Sequence, residues 1–295
     1  MVLGDNITCM ESKVDEVKIK GKEYRTYKVD YSRLEKSQDH KSTAFPKVEN
    51  IGNELECKAI LPGGAINYTH FISIPLTIYE SIRDGFSSFT EAVLLEDERP
   101  IDPLLIIPEI HIHITITMLP LPNKEDVQAA SKALIRAWDK IIEKKLSPVK
   151  LHMKGIGTFG KRIDKSHLLY GKLVEDSEYE KLEKISDIII KEMISAKVLT
   201  EKQLSHIKYI PDKGIYKVNM YHMTILNAKF KAKATKKLKE KDCLFDATVL
   251  LQYYTDYDFG SFTLERIELS NITHEAKQTG YYFCEQVVPV DAKKS

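Results

Sequence analysis

The sequence predicts an α+β domain built as two similar lobes. Three observations predict it. Strand-like and helix-like stretches follow one another from about residue 66 to 290; the helices stand apart, between groups of short strands; and a His-x-Thr strand occurs twice, in HIHITITM at 111–118 and in MYHMTILN at 220–227.

Residues 1–65 are polar and weakly patterned. EVKIKGKEYRTYKV at 16–29 reads as a strand, the charged DYSRLEKSQDHKSTAFPKVEN follows, and LPGG closes the stretch at 61–64. This is the composition of an extension and not of a core. The texture changes near Tyr68, where THFISIPL is a β-branched and aromatic run containing Pro75. A first helix is predicted over Thr77–Leu95, since Ile78, Ile82, Phe86, Phe89 and Val93 recur at three-to-four spacing and form one apolar stripe.

A second helix is predicted to open at Asn123, an N-cap followed by Glu125 and Asp126 in the first turn, and to run to about Leu146. A third is predicted over Glu178–Val198, with Ser177 and Glu180 spaced as a capping box. Strand runs lie between and after the helices: PVKLHMKGIGTFG, SHLLYGKLV, VNMYHMTIL, FGSFTLERIEL and YYFCEQVVPV. GIGTFG lacks the Lys-Ser/Thr and helix start of a phosphate loop and reads as a strand bend. Residues 291–295 are a short tail.

Composition narrows the function. With 43% hydrophobic and 29% charged residues in 295, the chain can bury a core and is neither wholly disordered nor membrane-like. Forty-four Lys and Arg balance 43 Asp and Glu, so the whole molecule lacks the field of a non-specific nucleic-acid binder, and any basic surface is a patch. No run approaches the roughly 20 apolar residues that span a bilayer, and the N-terminus lacks the pattern of a signal peptide. A nuclear or cytoplasmic location and no membrane partner are expected. The four scattered cysteines form no CxxC pair and are expected to be reduced.

The chemistry lies in the two histidine strands. Alternation places His111, His113, Thr115 and Thr117 on one face, with Ile110, Ile112, Ile114, Ile116 and Met118 on the other. In the second strand, Met220, His222, Thr224 and Leu226 share a face. An imidazole and a hydroxyl two residues apart, separated by about 6.5 to 7 Å, can converge on one phosphate. Two such strands side by side give two imidazoles, one to take a proton from a nucleophile and one to give a proton to a leaving oxygen. Thr115 and Thr224 would then donate to the non-bridging oxygens. The competing zinc reading of His111-x-His113 leaves the duplicated threonine unexplained and lacks further ligands at suitable spacing. No metal and no cofactor are expected.

These strands, together with NYTHFISIPL at 67–76, GIGTFG at 155–160, FGSFTLERIEL at 259–269 and TGYYFCEQVV at 279–288, resemble the two-histidine phosphoesterase superfamily. The similar branch contains the phosphoesterase-like domain of nuclear A-kinase anchoring proteins and of subunit 1 of the activating signal cointegrator 1 complex. The resemblance covers about residues 66–290. It implies two pseudo-symmetric lobes, each an antiparallel sheet with packed helices, around a central cleft where the motifs face each other. It also implies phosphodiesterase chemistry on 2′,3′-cyclic or 2′,5′-linked nucleotide phosphates or RNA 3′ ends. His113 and His222 would be the acid and base pair, with Thr115 and Thr224 as phosphate anchors.

Residues 1–65 lack a GxxG loop set between helices, so no KH domain is expected, and no kinase-anchoring helix is expected after PVDAKKS. Tyr68, Phe71, Tyr281 and Tyr282 are candidates to stack on a base, although Phe71 suits the core better. His70 is either a cleft residue or a packed structural histidine. Lys229 and Lys231 open a run of seven lysines over 229–241, which is either a solvated face or a basic lip that attracts a polyanion. The alternative function is a non-catalytic RNA- or nucleotide-binding subunit of a transcription-coactivator or repair complex.

Overall fold

The computed structural model describes residues 14–19, 22–27, 65–96, 100–204, 206–236, 238–275 and 280–290. The chain divides into two compact units, 1–55 with 277–280, and 56–276 with 281–295. In the first, the predicted single strand is two, β1 (Val14–Ile19) and β2 (Lys22–Tyr27), paired antiparallel. The remainder of the predicted extension and the tail at 291–295 lie outside the described residues.

The second unit holds β3 (His70–Pro75), α1 (Glu80–Leu95), β4 (His113–Leu119), α2 (Lys124–Glu143), β5 (Lys150–Thr158), β6 (Leu168–Leu173) and α3 (Ser177–Ser195). It continues with β7 (Ile207–Ile210), β8 (Ile215–Val218), β9 (His222–Asn227), α4 (Ala228–Thr235), α5 (Thr248–Tyr253), β10 (Asp258–Thr263), β11 (Arg266–Glu275) and β12 (Tyr282–Pro289). β7 and β8 form a separate pair.

The other eight strands run β10-β5-β6-β9-β4-β3-β11-β12 with antiparallel pairings. Two four-stranded lobes are therefore present, as predicted. They meet at a seam of one residue pair, Ile114 opposite Met223. Beyond it the strands separate, and Ile106 bridges to Leu226 while the Ile107 amide donates to the Ile225 carbonyl at 3.0 Å.

The predicted run FGSFTLERIEL breaks at Leu264 and Glu265, where the chain leaves one outer strand for the far lobe. In a flat sheet β10 and β11 would stand six strand spacings apart, about 29 Å. Three Cα steps reach only about 11 Å. The sheet therefore curls, and the Leu264 amide bonds to Val149 while the Val290 amide bonds to Glu265 across the gap.

Helix ends follow local chemistry. Asn123 caps α2 by accepting from the Asp126 amide at 2.8 Å. The cap of α3 is Asp176, one residue before the predicted Ser177. Its carboxylate accepts from the amides of Glu178 and Tyr179, a stronger acceptor than a serine hydroxyl. The α1 stripe of Ile82, Phe86, Phe89 and Val93 is buried as its spacing predicts, and each such side chain contributes roughly 1.5 to 3 kcal/mol. Gly85 on α1 has no alternative, because a Cβ there would lie 2.3 Å from the Phe259 carbonyl oxygen.

Candidate active site

The seam fixes the site. With Ile114 opposite Met223, continuing the antiparallel register one step sets His113 beside Thr224 and Thr115 beside His222. Ile114 and Met223 are both buried in the core, so alternation sends all four neighbours to the opposite face, where each is half-buried. Thus residues 109 positions apart share one small patch. The pseudo-two-fold axis passes through the Ile114–Met223 pair.

The backbone repeats the symmetry. β4 slips by one residue against β3 between the pairs Ser73–Thr115 and Ile72–Thr117, so Ile116 is an extra residue. β9 slips in the same place against β6, between Tyr170–Thr224 and Leu169–Leu226, which makes Ile225 extra. Each motif therefore ends in a β-bulge. The bulge reverses the alternation after the threonine: the sequence placed Thr117 on the His113 face and Leu226 on the His222 face, but both are buried on the core side. A strict period of two cannot anticipate an inserted residue. Each bulged carbonyl still finds a donor, from the His206 ring at Ile116 and from the Ile107 amide at Ile225.

Both imidazoles are oriented from behind. Nδ1 of His113 lies 2.8 Å from the His111 carbonyl oxygen, and Nδ1 of His222 lies 3.4 Å from that of Met220. A carbonyl only accepts, so Nδ1 carries the proton and Nε2 is left for the site. Burial lowers the His113 pKa to about 4, against the stabilising His111 bond, and positive charge on His222 or His111 would lower it further. Burial also lowers the pKa of His222, with the Met220 bond opposing it and His206 charge adding to it. Among the described residues neither Thr115 nor Thr224 spends its hydroxyl on a hydrogen bond.

Aromatic rings wall both histidines. Phe71 lies 4.9 Å from His113 and Tyr282 lies 5.7 Å away, and the two rings meet edge to face at 4.9 Å. On the other side Phe159 and Tyr170 stand 5.3 and 5.4 Å from His222. The sequence missed this second pair and assigned Phe71 to the core. Phe71 is buried but packs against a motif histidine. A usable signal was present: Tyr170 and Lys172 alternate in LLYGKL, and the glycines of GIGTFG leave room opposite them.

Other expected residues are placed as follows. Tyr282 lies at the site, while Tyr281 is buried beside it, its phenol pushed well up by burial and by Glu268. His70 pairs with core residue Leu119, on the face away from His113, with Nδ1 2.9 Å from the Thr69 hydroxyl and Nε2 3.3 Å from the Asn271 amide. Its ring is buried there. The Tyr68 hydroxyl donates to the Gln203 carbonyl at 2.7 Å. His111 lies in the turn before β4, and its ring is 4.9 Å from Tyr282. Lys231 on α4 is held by Asp102 at 3.0 Å, and Lys229 is exposed. No group of three or more His, Cys, Asp or Glu side chains suited to a metal occurs among the described residues, and no helix among them is long and apolar enough to cross a membrane.

A two-lobed antiparallel sheet with paired His-x-Thr strands at its seam is the architecture of a two-histidine phosphoesterase. The model of the AKAP7 2′5′ RNA ligase-like domain matches residues 68–290, and the chain belongs to that family. No curated protein matches the chain. Among solved structures it is similar to Escherichia coli LigT in apo form, at 11% identity over 75% of this chain and 96% of that one, with a TM-score of 0.46. It is also similar to E. coli LigT complexed with 3′-AMP, at 10% over 76% and 97% with a TM-score of 0.43. A third is Kluyveromyces marxianus Usb1, at 13% over 76% and 97% with a TM-score of 0.38.

Proposed function

We propose that the protein is a phosphodiesterase acting on nucleotide or RNA phosphates, either 2′,3′-cyclic or 2′,5′-linked or at RNA 3′ ends, by general acid–base catalysis between His113 and His222. The observation that carries this reading is the seam register, which sets both imidazoles and both threonine hydroxyls on one half-buried face. His113 is the base, since burial lowers its pKa to about 4 and leaves the ring uncharged near neutrality, with the Nδ1 proton held on the His111 carbonyl and Nε2 free to accept. It takes the proton of the attacking group, water for a cyclic phosphate or the neighbouring ribose hydroxyl for a linked one, as the new P–O bond forms. His222 is the acid and gives its Nε2 proton to the leaving ribose oxygen as the old bond breaks. The anionic phosphate raises the proton affinity of His222 on binding, which favours the charged acid when substrate is present. Thr115 and Thr224 donate to the non-bridging oxygens as charge builds on them.

The test is a panel of 2′,3′-cyclic nucleotides, 2′,5′-linked dinucleotides and short RNAs, offered to wild type, His113→Ala and His222→Ala. Product from wild type alone is expected. Tight nucleotide binding that survives both substitutions, with no product from wild type, would overturn catalysis in favour of a binding subunit.

A further inference from the structure

The second lobe carries two polar groups beside His222 that the chemistry above does not use. Lys172 lies directly opposite His222 on β6, and Tyr170 lies opposite Thr224, so both project to the site face. Their ends meet over Gly157 of β5. A Cβ built at Gly157 would lie 2.8 Å from the Tyr170 hydroxyl oxygen and 2.9 Å from Lys172 Cε. Among the described residues the Lys172 ammonium has no acidic partner and the phenol no hydrogen-bond partner. Burial raises the Tyr170 pKa, which keeps it a donor. Two donors thus converge on one point, Lys172 exposed and Tyr170 largely buried, with a glycine leaving the space.

That point stands over β5, two strand spacings or about 10 Å from β9. The Tyr170 ring lies 5.4 Å from the His222 ring, and its hydroxyl and the Lys172 end lie on the far side, over Gly157, displaced from the β4/β9 seam toward the outer edge of the second lobe. We infer that Lys172 and Tyr170 form a second anion subsite, which receives the phosphate next along an oligonucleotide whose scissile phosphate lies at the seam. This rests on the phosphodiesterase reading for the position of the first phosphate. The first lobe offers no counterpart: Pro75 stands opposite His113 where Lys172 stands opposite His222. An extended substrate therefore has one direction across the site, with its extra phosphate over the second lobe.

The experiment compares a trinucleotide, which has two phosphates, with a dinucleoside monophosphate, which has one, by kcat/KM and by fluorescence-anisotropy binding. Wild type is expected to prefer the trinucleotide by roughly tenfold, the worth of one charge-assisted contact. Lys172→Met should abolish most of that preference, and Gly157→Ala should do the same by displacing both side-chain ends. Tyr170→Phe should reduce it less. Alanine at Gly157 must also push aside the buried Tyr170 ring, so Lys172→Met, which alters only an exposed side chain, is the variant that isolates the charge. An unchanged trinucleotide-to-dinucleotide ratio in both Lys172→Met and Gly157→Ala overturns the subsite. If wild type cleaves neither compound, the binding ratio alone decides for or against Lys172, and the wider substrate panel decides the phosphodiesterase reading.

Discussion

The two lobes share a backbone and differ in what surrounds their histidines. In each, a His-x-Thr strand pairs through Ile114 or Met223, bulges at Ile116 or Ile225, and turns Nδ1 of its histidine to the carbonyl two residues back. In the first lobe, Pro75 and Ser73 stand opposite His113 and Thr115, and Phe71 and Tyr282 cover the ring. In the second, Lys172 and Tyr170 take the opposing places. Symmetric backbone delivers two imidazoles to one phosphorus. Burial is the first cause of the lowered proton affinity of each imidazole, so the opposing residues differ in what they offer a substrate and not in how they tune the two rings.

The largest test of this comparison removes each imidazole. His113→Ala and His222→Ala should each lower kcat about 10³-fold, within the range of general acid–base catalysis, and the double variant should be little worse than either single one. If only one substitution matters, the two lobes do not work as a pair.

Next is the axis itself. Ile114→Ala should cost about 2 to 5 kcal/mol, as for other fully buried aliphatic side chains, read as a lower urea midpoint at unchanged slope. A cost below 1 kcal/mol would mean that the seam is not packed as described. Thr115→Val and Thr224→Val should each lower kcat about 100-fold with little change in KM, because their donors act mainly on charge developing in the transition state.

The pH profile sharpens the assignment of roles. Unprotonated His113 is needed, so kcat/KM should rise through about pH 4, and protonated His222 is needed, so it should fall at a pH below the ordinary histidine value of 6.5. Bound phosphate charge should move the alkaline limb of kcat to higher pH than that of kcat/KM. Coincident limbs would remove the basis for naming His222 the acid.

The smallest effect lies between the helices of the two lobes. Glu192 on α3 accepts from Arg136 at 3.0 Å and from Lys140, both on α2. Burial pushes its carboxyl up, but these two cations outweigh burial and hold it below the usual value. Its contribution is therefore complete above the unfolded carboxylate pKa and is lost as pH falls through the lower folded value. Glu192→Gln should cost under about 1 kcal/mol at neutral pH, since both partners are half exposed, and nothing in strong acid. Urea melts at the two pH values check this.

Much of the site was legible because strand chemistry is local. His113 and Thr115 had to share a side, as did His222 and Thr224, whatever lay around them. Thr117 was misplaced because its side depends on a bulge against β3, and His70 was left open because its partners, Asn271 and Glu285, come from the far end of the chain. Asp176 displaced Ser177 as a cap through a choice between adjacent polar residues that composition alone leaves balanced. Phe159 and Tyr170 went unnoticed since nothing near them in the chain mentions His222.

The sequence by itself determined the three long helices and most strands of the large sheet through apolar periods of 3.6 and 2, the N-caps of α2 and α3 to within a residue, and two strands each with an imidazole and a hydroxyl on one side. Only the tertiary structure decided that Ile114 and Met223 pair, that both motifs bulge at the following isoleucine, and that Lys172 rather than a proline faces the second histidine. The division has a physical cause. Side-chain direction along a strand is set by bonds a few ångströms long, whereas strand pairing and proton affinity depend on which distant surfaces the curled sheet brings together and removes from water.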